Sequence, residues 1–297
     1  MTELLDFHAH FRPPWWREIA PANARTGGPF ALLDDTEELL RFTREGGVSH
    51  RVLGAPVDLL FGPGEVPREQ LDRVNEHLAG LVAAHAPLLG GLGTVNAFAG
   101  ADGAEQVRDA VGRLGLAGIV IDSARDGVSV GAPVTRPTLE AAAELRVPVF
   151  VHPVFAPDTA ALEATAGAPG VSFGRGFTNG IALLTLLHHG VTDDLPKLDL
   201  VFTSLGTGAL LFAADHLAGR QHRIHIDTLR LNPAALRYQI DVLGADRVVL
   251  GTDWPIRTDG TRRDVTAFFD AAELDSTARA LVGGDNARRL FARAAEG

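Results

Sequence analysis

The 297-residue sequence contains no cysteine. That excludes disulfides, thiolate metal sites and cysteine nucleophiles, and it leaves histidine and carboxylates as the strong ligands for a transition metal. An excess of positive charge is also missing. The 27 Lys and Arg stand against 37 Asp and Glu, for a net charge of -10, and they are scattered, so the basic footprint of a nucleic-acid binder is absent. No apolar run approaches the length of a membrane span. The N-terminus carries Glu3, Asp6 and two His where a signal peptide would need a basic start and an apolar stretch. The expectation is a cytoplasmic protein that acts on a small molecule, with no nucleic-acid or membrane partner. What is present, 46% hydrophobic and 22% charged residues, suits a globular chain with a large core, as one large domain or two small ones.

Short apolar runs alternate with longer amphipathic ones. The first run leads through Leu4-Leu5-Asp6-Phe7 to His8 and His10, and Arg12-Pro13-Pro14 breaks it. The two imidazoles therefore end a strand and, at i and i+2, share one of its faces. A long loop follows at about residues 11–33, where the adjacent Trp15 and Trp16 argue for an ordered lid or an interface. Further strands are expected at Ser49 to Ala55, Leu88 to Val95, Gly118 to Asp122, Val147 to Pro153, Leu198 to Thr203, Ile224 to Asp227 and Val248 to Pro255. Between them, Asp34-Asp35-Thr36 caps a helix to Glu45, and others run over about Pro67 to Ala86, Asp102 to Leu114, Thr138 to Leu145, Asn179 to His188, Ala209 to Ala218 and Pro233 to Leu243. Eight strand–helix units with continuously apolar strands indicate an α/β fold, a single-domain (β/α)₈ TIM barrel over 1–297. The doubly wound alternative lacks a Gly-x-Gly-x-x-Gly turn after the first strand.

In such a barrel the C-terminal strand ends surround one mouth. His8 and His10 end the first strand, His152 the fifth and Asp253 the eighth. Three imidazoles and a carboxylate suit Zn²⁺ ahead of Mn²⁺, Fe²⁺ or Co²⁺. Singly each has a plain explanation: a chance His pair, a structural His at a Pro-constrained turn, an Asp capping a turn. Together at one mouth they point to a metal site. Asp227, near the end of the seventh strand, would hydrogen-bond a ligand His from behind, whereas His225 lies deeper and reads as a buried, satisfied His. Arg12, and Arg175 in a Gly174-Arg175-Gly176 loop, are candidates to hold a substrate carboxylate. Phe155, Phe177 and Trp254 are candidate aromatic walls, though core or lid packing explains them as well.

Four phrases now carry a resemblance: Asp6-Phe7-His8-Ala9-His10, Val149-Phe150-Val151-His152-Pro153, Gly251-Thr252-Asp253-Trp254-Pro255 and the ending Gly283-Gly284-Asp285-Asn286-Ala287-Arg288-Arg289-Leu290-Phe291. The sequence is similar, over nearly its whole length, to the amidohydrolase superfamily, and within it to the group of aminocarboxymuconate-semialdehyde decarboxylase and related carboxy-lyases and lactonases. The resemblance implies a distorted TIM barrel, one divalent metal on His8, His10, His152 and Asp253 with a water on it, and Asp253 as both ligand and proton carrier. One position departs from the pattern. Where the family carries a His at the end of the sixth strand, this chain has Ser204, whose hydroxyl orients a water but needs activation to act as a base.

Three functions remain open: decarboxylation of a small unsaturated or aromatic acid, metal-assisted hydrolysis of a lactone or cyclic amide, and a non-catalytic descendant that keeps its metal. Family likeness favours decarboxylation, with Asp253 as the main proton carrier and Ser204 as an accessory group. The likeness and the Trp15-Trp16 loop, read as an exposed apolar patch, also lead to the expectation of a homodimer.

Overall fold

Strands that are buried on both faces cannot alternate polar and apolar residues, and the central strands of this chain do not: every residue of the first, third, fourth and fifth is buried. The computed structural model describes residues 3–21, 24–217, 222–229 and 232–295. One parallel sheet runs in chain order through β1 (Leu5–Ala9), β2 (His50–Gly54), β3 (Leu89–Thr94), β4 (Gly118–Asp122), β5 (Val149–His152), β6 (Leu200–Phe202), β7 (Ile224–Asp227) and β8 (Val248–Val249). The sheet closes on itself, because Phe7 N–H donates to Leu250 O at 2.8 Å, Asp253 N–H to His8 O at 2.8 Å and His10 N–H to Trp254 O at 2.7 Å. The result is a (β/α)₈ barrel. Its interior is filled by Leu5, Phe7, Val52, Leu92, Val120, Phe150, Val201 and Val249, with Ala287 and Leu290 against them.

The eighth strand is shorter than the expected Val248 to Pro255. Regular pairing stops at Val249, and Asp253 adopts a left-handed backbone, φ 59°, which a ladder does not accommodate. The helices are α1 (Thr36–Glu45), α2 (Val57–Phe61), α3 (Arg68–Ala84), α4 (Ala101–Arg108), α5 (Arg136–Glu144), α6 (Pro157–His188), α7 (Val191–Asp194), α8 (Thr207–Leu217), α9 (Pro233–Leu243), α10 (Arg262–Ala271), α11 (Ser276–Ala280) and α12 (Asn286–Ala295). Asp35 caps α1 by accepting from Glu38 N–H at 2.9 Å.

Two expectations need correction. The Gly174-Arg175-Gly176 stretch is not a loop but lies inside α6, which begins at Pro157 and kinks at Gly167, φ 61°. Its glycines and Pro169 hide the helical period, yet Gly176 serves packing: a Cβ there would lie 2.5 Å from Leu205 O. The Trp15-Trp16 loop is not an exposed patch. Trp16 is buried, with its Nε1 donating to Leu60 O at 2.9 Å, and Trp15 lies under the Arg73 guanidinium. Among the described residues no helix is long and apolar enough to cross a membrane.

Candidate metal centre

The pairing of β1 with β2 shifts register between Asp6 and Ala9. Such an irregularity breaks the two-residue alternation, and so Phe7 and the next residue, His8, both reach the interior ring of Phe150, at 5.6 and 4.8 Å between centroids. His8 and His10 thereby top the barrel interior, where β5 adds His152. One ligand atom from each of these three His lies within 4.8 Å of the others, and Asp253 reaches back over them from its left-handed turn.

Hydrogen bonds fix which nitrogens face the centre. His8 Nδ1 lies 2.5 Å from Asp227 Oδ2 and His10 Nδ1 lies 2.7 Å from Gly54 O. Because a carboxylate and a carbonyl only accept, each ring keeps its proton on Nδ1 and turns Nε2 inward. The two Nε2 atoms stand 3.0 Å apart, and Asp253 Oδ1 lies 3.4 Å from one and 3.2 Å from the other. Three acceptors converge with at most a shared proton between them. These spacings match donors that grip one ion at about 2.1 Å each, so the residues fit a divalent metal. His152 is buried, with Nδ1 lacking a partner among the described residues and Nε2 3.5 Å from Arg175 Nη2.

The electrostatics agree. Burial pushes His10 down, and burial, then His10 and Arg175, push His152 well below the ordinary value, so both rings stay neutral, which is the ligating form. Burial would also lower His8, but Asp227, Asp253 and Asp6 outweigh it and hold that ring above its ordinary value. Burial raises Asp253, yet His10, His8 and Arg175 outweigh it and keep the carboxylate ionised. Gly251 has to be glycine here, because a Cβ would meet Asp227 Oδ2 and His8 Cβ at 2.9 Å.

A cavity of about 490 Å³ opens above the centre, with His10, His152 and Asp253 at its floor and Arg12, Arg175 and Phe155 among its walls. Arg175 is partly buried and also donates to Pro153 O at 3.3 Å. Burial pulls Arg12 down to about 10, which leaves it charged at neutral pH. Its guanidinium lies over Trp16 at 3.7 Å and donates to Arg25 O at 2.8 Å and Leu59 O at 3.2 Å, so it pins the 11–33 loop as well as facing the cavity. Trp254 does not line the cavity. It is buried in the cluster that holds Phe11, Trp16 and Leu60, and Phe177 is exposed on the outside of α6. Ser204 is also outside the lining. Its N–H donates to Asp227 Oδ1 at 2.8 Å, and its Oγ accepts from Gln239 Nε2 at 2.6 Å, so its visible work is to hold Asp227 behind His8. His225 Nε2 lies 3.2 Å from Asp199 Oδ1, away from the mouth.

Sequence reasoning missed several residues at the mouth. Arg25 bridges to Glu163 of α6 at 3.1 Å and lies over the Phe155 ring at 4.6 Å. Asp58 lines the cavity, accepts from Phe155 N–H at 3.0 Å, and through its own N–H donates to Asp122. Burial, then the Asp58 carboxylate, pushes Asp122 up to about 8. Asp122 ends the apolar run Gly118-Ile119-Val120-Ile121, which was the signal available; Arg25 and Glu163 had none beyond lying in or near a long loop.

The sequence profile of the amidohydrolase family matches residues 5–293. The chain belongs to that family. Among curated amidohydrolase relatives, 2-amino-3-carboxymuconate-6-semialdehyde decarboxylase of Dictyostelium discoideum is 25% identical over 226 residues, 67% of this chain and 61% of that protein. The chain thus spans under two thirds of that relative's length. Among solved structures, 5-carboxyvanillate decarboxylase from Sphingomonas paucimobilis superposes with a TM-score of 0.82 at 21% identity, over 98% of this chain and 99% of that one. Dihydroxybenzoic acid decarboxylase from Polaromonas, with bound manganese and 2-nitroresorcinol, superposes at 0.78 with 19% identity, over 98% and 97%. These structural likenesses show that the chain shares their fold.

Proposed function

We propose that this amidohydrolase-family chain is a carboxy-lyase that holds one divalent metal through His8, His10, His152 and Asp253 and removes CO₂ from a small carboxylated aromatic or unsaturated acid. The observation that carries the reading is the convergence of the His8 and His10 Nε2 lone pairs and the Asp253 carboxylate on the floor of an arginine-lined cavity. The decarboxylase names of the relatives support the reaction class. The donor set suits Zn²⁺, and the manganese in the Polaromonas structure makes Mn²⁺ the rival. When bound, the metal polarises a substrate oxygen.

The chain's own groups do the rest. Arg175 takes the substrate carboxylate by charge-assisted hydrogen bonds, and Phe155 supplies a flat wall. The bond between the carboxylate and its carbon breaks, the electron pair stays on that carbon, and a proton closes the new C–H bond. Asp253, ionised at rest, takes that proton from the substrate's own hydroxyl or acid group before delivering it. Ser204 acts through Asp227 and not on the substrate. The working form in this proposal is a cytoplasmic homodimer of single-domain chains. Elemental analysis should find close to one ion per chain, and carboxylated phenols and dienoic acids should release CO₂ while lactones and cyclic amides stay intact. Lactone opening without CO₂ release refutes the lyase; a metal-free chain after growth in supplemented medium refutes the centre.

A further inference from the structure

Of the charged side chains that line the cavity, all but one are held by groups of the protein itself. Arg25 and Glu163 pair with each other at 3.1 Å. Arg12 donates to the carbonyls of Arg25 and Leu59, Arg175 faces His152 and Pro153 O, and Asp253 reaches His8 and His10. Asp58 differs. Its Oδ2 accepts from the neutral Phe155 N–H at 3.0 Å, and among the described residues no cation pairs with it. A carboxylate offers about four lone-pair sites, so most of its accepting capacity is unused on the cavity wall, where Asp58 is half-buried. Its place is fixed from behind, because its own N–H donates to the two Asp122 oxygens at 3.2 and 3.1 Å.

We infer that Asp58 is a specificity-determining residue, which accepts a hydrogen bond from an amino or hydroxyl group that the substrate carries in addition to its reacting carboxylate. The inference rests on the carboxy-lyase reading and narrows its substrate class. In that reading Arg175 takes the carboxylate. Burial lowers the Arg175 guanidinium, and the Asp253 and then the Asp58 carboxylates oppose it, so Arg175 and Asp58 lie within electrostatic reach of each other, as two contacts to one small acid require. A ligand that covers Asp58 without offering a donor strips water from a charge and leaves it unpaired. One that brings a second carboxylate to it meets a like charge. Arg12 and Arg25 do not offset that repulsion, because carbonyls and Glu163 already hold their guanidinium groups. The cavity therefore ranks acids with a ring or chain donor first, unsubstituted acids next and dicarboxylic acids last.

The test is calorimetric titration of metal-loaded wild type and Asp58→Asn with benzoate, its 3- and 4-amino and 3- and 4-hydroxy derivatives, isophthalate and terephthalate. Circular dichroism and metal content are the controls. Asparagine keeps an oxygen for the Phe155 N–H and turns an NH₂ group to the cavity, so any role in holding Phe155 survives while the charge is lost. The expected result is that wild type binds the best amino or hydroxy derivative at least roughly 10-fold tighter than benzoate, the effect of a hydrogen bond to a charged group, and both dicarboxylates more weakly than benzoate. In Asp58→Asn the preference for donors should disappear and the dicarboxylates should gain. A wild type that binds benzoate but favours no donor-bearing derivative overturns the inference alone, and so does an Asp58→Asn protein that weakens every ligand by the same factor, since Asp58 then only holds Phe155. Should Asp58→Asn fail to fold, the wild-type order decides. If no benzoate binds the loaded wild type, the assignment of Arg175 to the carboxylate falls and takes the inference with it.

Discussion

Asp227→Asn should cripple metal binding without unfolding the barrel. The substitution keeps the shape of a fully buried side chain, and an asparagine Oδ1 still accepts the Ser204 N–H now bonded at 2.8 Å. The other oxygen, 2.5 Å from His8 Nδ1, becomes an NH₂ group, so a donor faces a donor. The ring relieves this by moving its proton to Nε2, the atom that must give its lone pair to the metal. Loss of such an outer partner costs roughly 10–100-fold in metal affinity, about 1.4–2.7 kcal/mol, and the tautomer switch places Asn at the upper end. Competition with a chromophoric chelator measures the affinity, and ¹⁵N shifts of the imidazoles report the tautomer. Unchanged affinity in a folded Asp227→Asn protein would refute the argument that Asp227 sets the ligating nitrogen of His8.

Arg175→Ala should lower kcat/KM roughly 10–100-fold, the 1.5–3 kcal/mol of a hydrogen bond to a charged group, and phenols that lack a carboxylate should inhibit both proteins equally. Asp253→Asn should abolish turnover, whereas Ser204→Ala should cost about 1 kcal/mol of stability and little activity; equal damage from the two would make Ser204 a reacting group. Asp122 carries a pH signature. Its folded value of about 8 lies above the ordinary 3.8, so the native state keeps a proton that the unfolded chain releases. The stability tied to that proton is full below about pH 4 and is lost as the pH rises through about 8. Chemical denaturation of Asp122→Asn over that window should lack this fall, and a parallel pH dependence in variant and wild type would contradict it.

The barrel was legible because its strands are buried on both faces and read as apolar runs ending in His or Asp, and because α1 and α9 begin with residues that cap helices. The clustering of His8, His10 and His152 was legible for the same reason: a polar residue at the end of an apolar strand has little else to do. Three features were not. The first half of α6 was hidden by its glycines, of which Gly167 makes the kink and Gly174 packs closely on Thr159. Trp15 and Trp16 looked exposed because a loop sequence does not show that the Trp16 indole reaches Leu60. Trp254 and Ser204 sit beside site residues in sequence, but the left-handed turn at Asp253 sends the indole into the core, and Ser204 Oγ is taken by Gln239 from the distant helix α9. Side-chain direction at such turns depends on backbone angles and remote partners that neighbouring residues do not encode.

Turnover of a ¹³C-carboxyl phenolic acid in D₂O by metal-loaded and chelator-stripped protein tests the central claim most directly. The account predicts that the loaded protein releases one ¹³CO₂ for each deuterium placed on the vacated carbon, that the stripped protein does neither, and that restoring the metal restores both. Equal ¹³CO₂ release from the stripped protein, or full metal loading with no release from any carboxylated substrate, would contradict it.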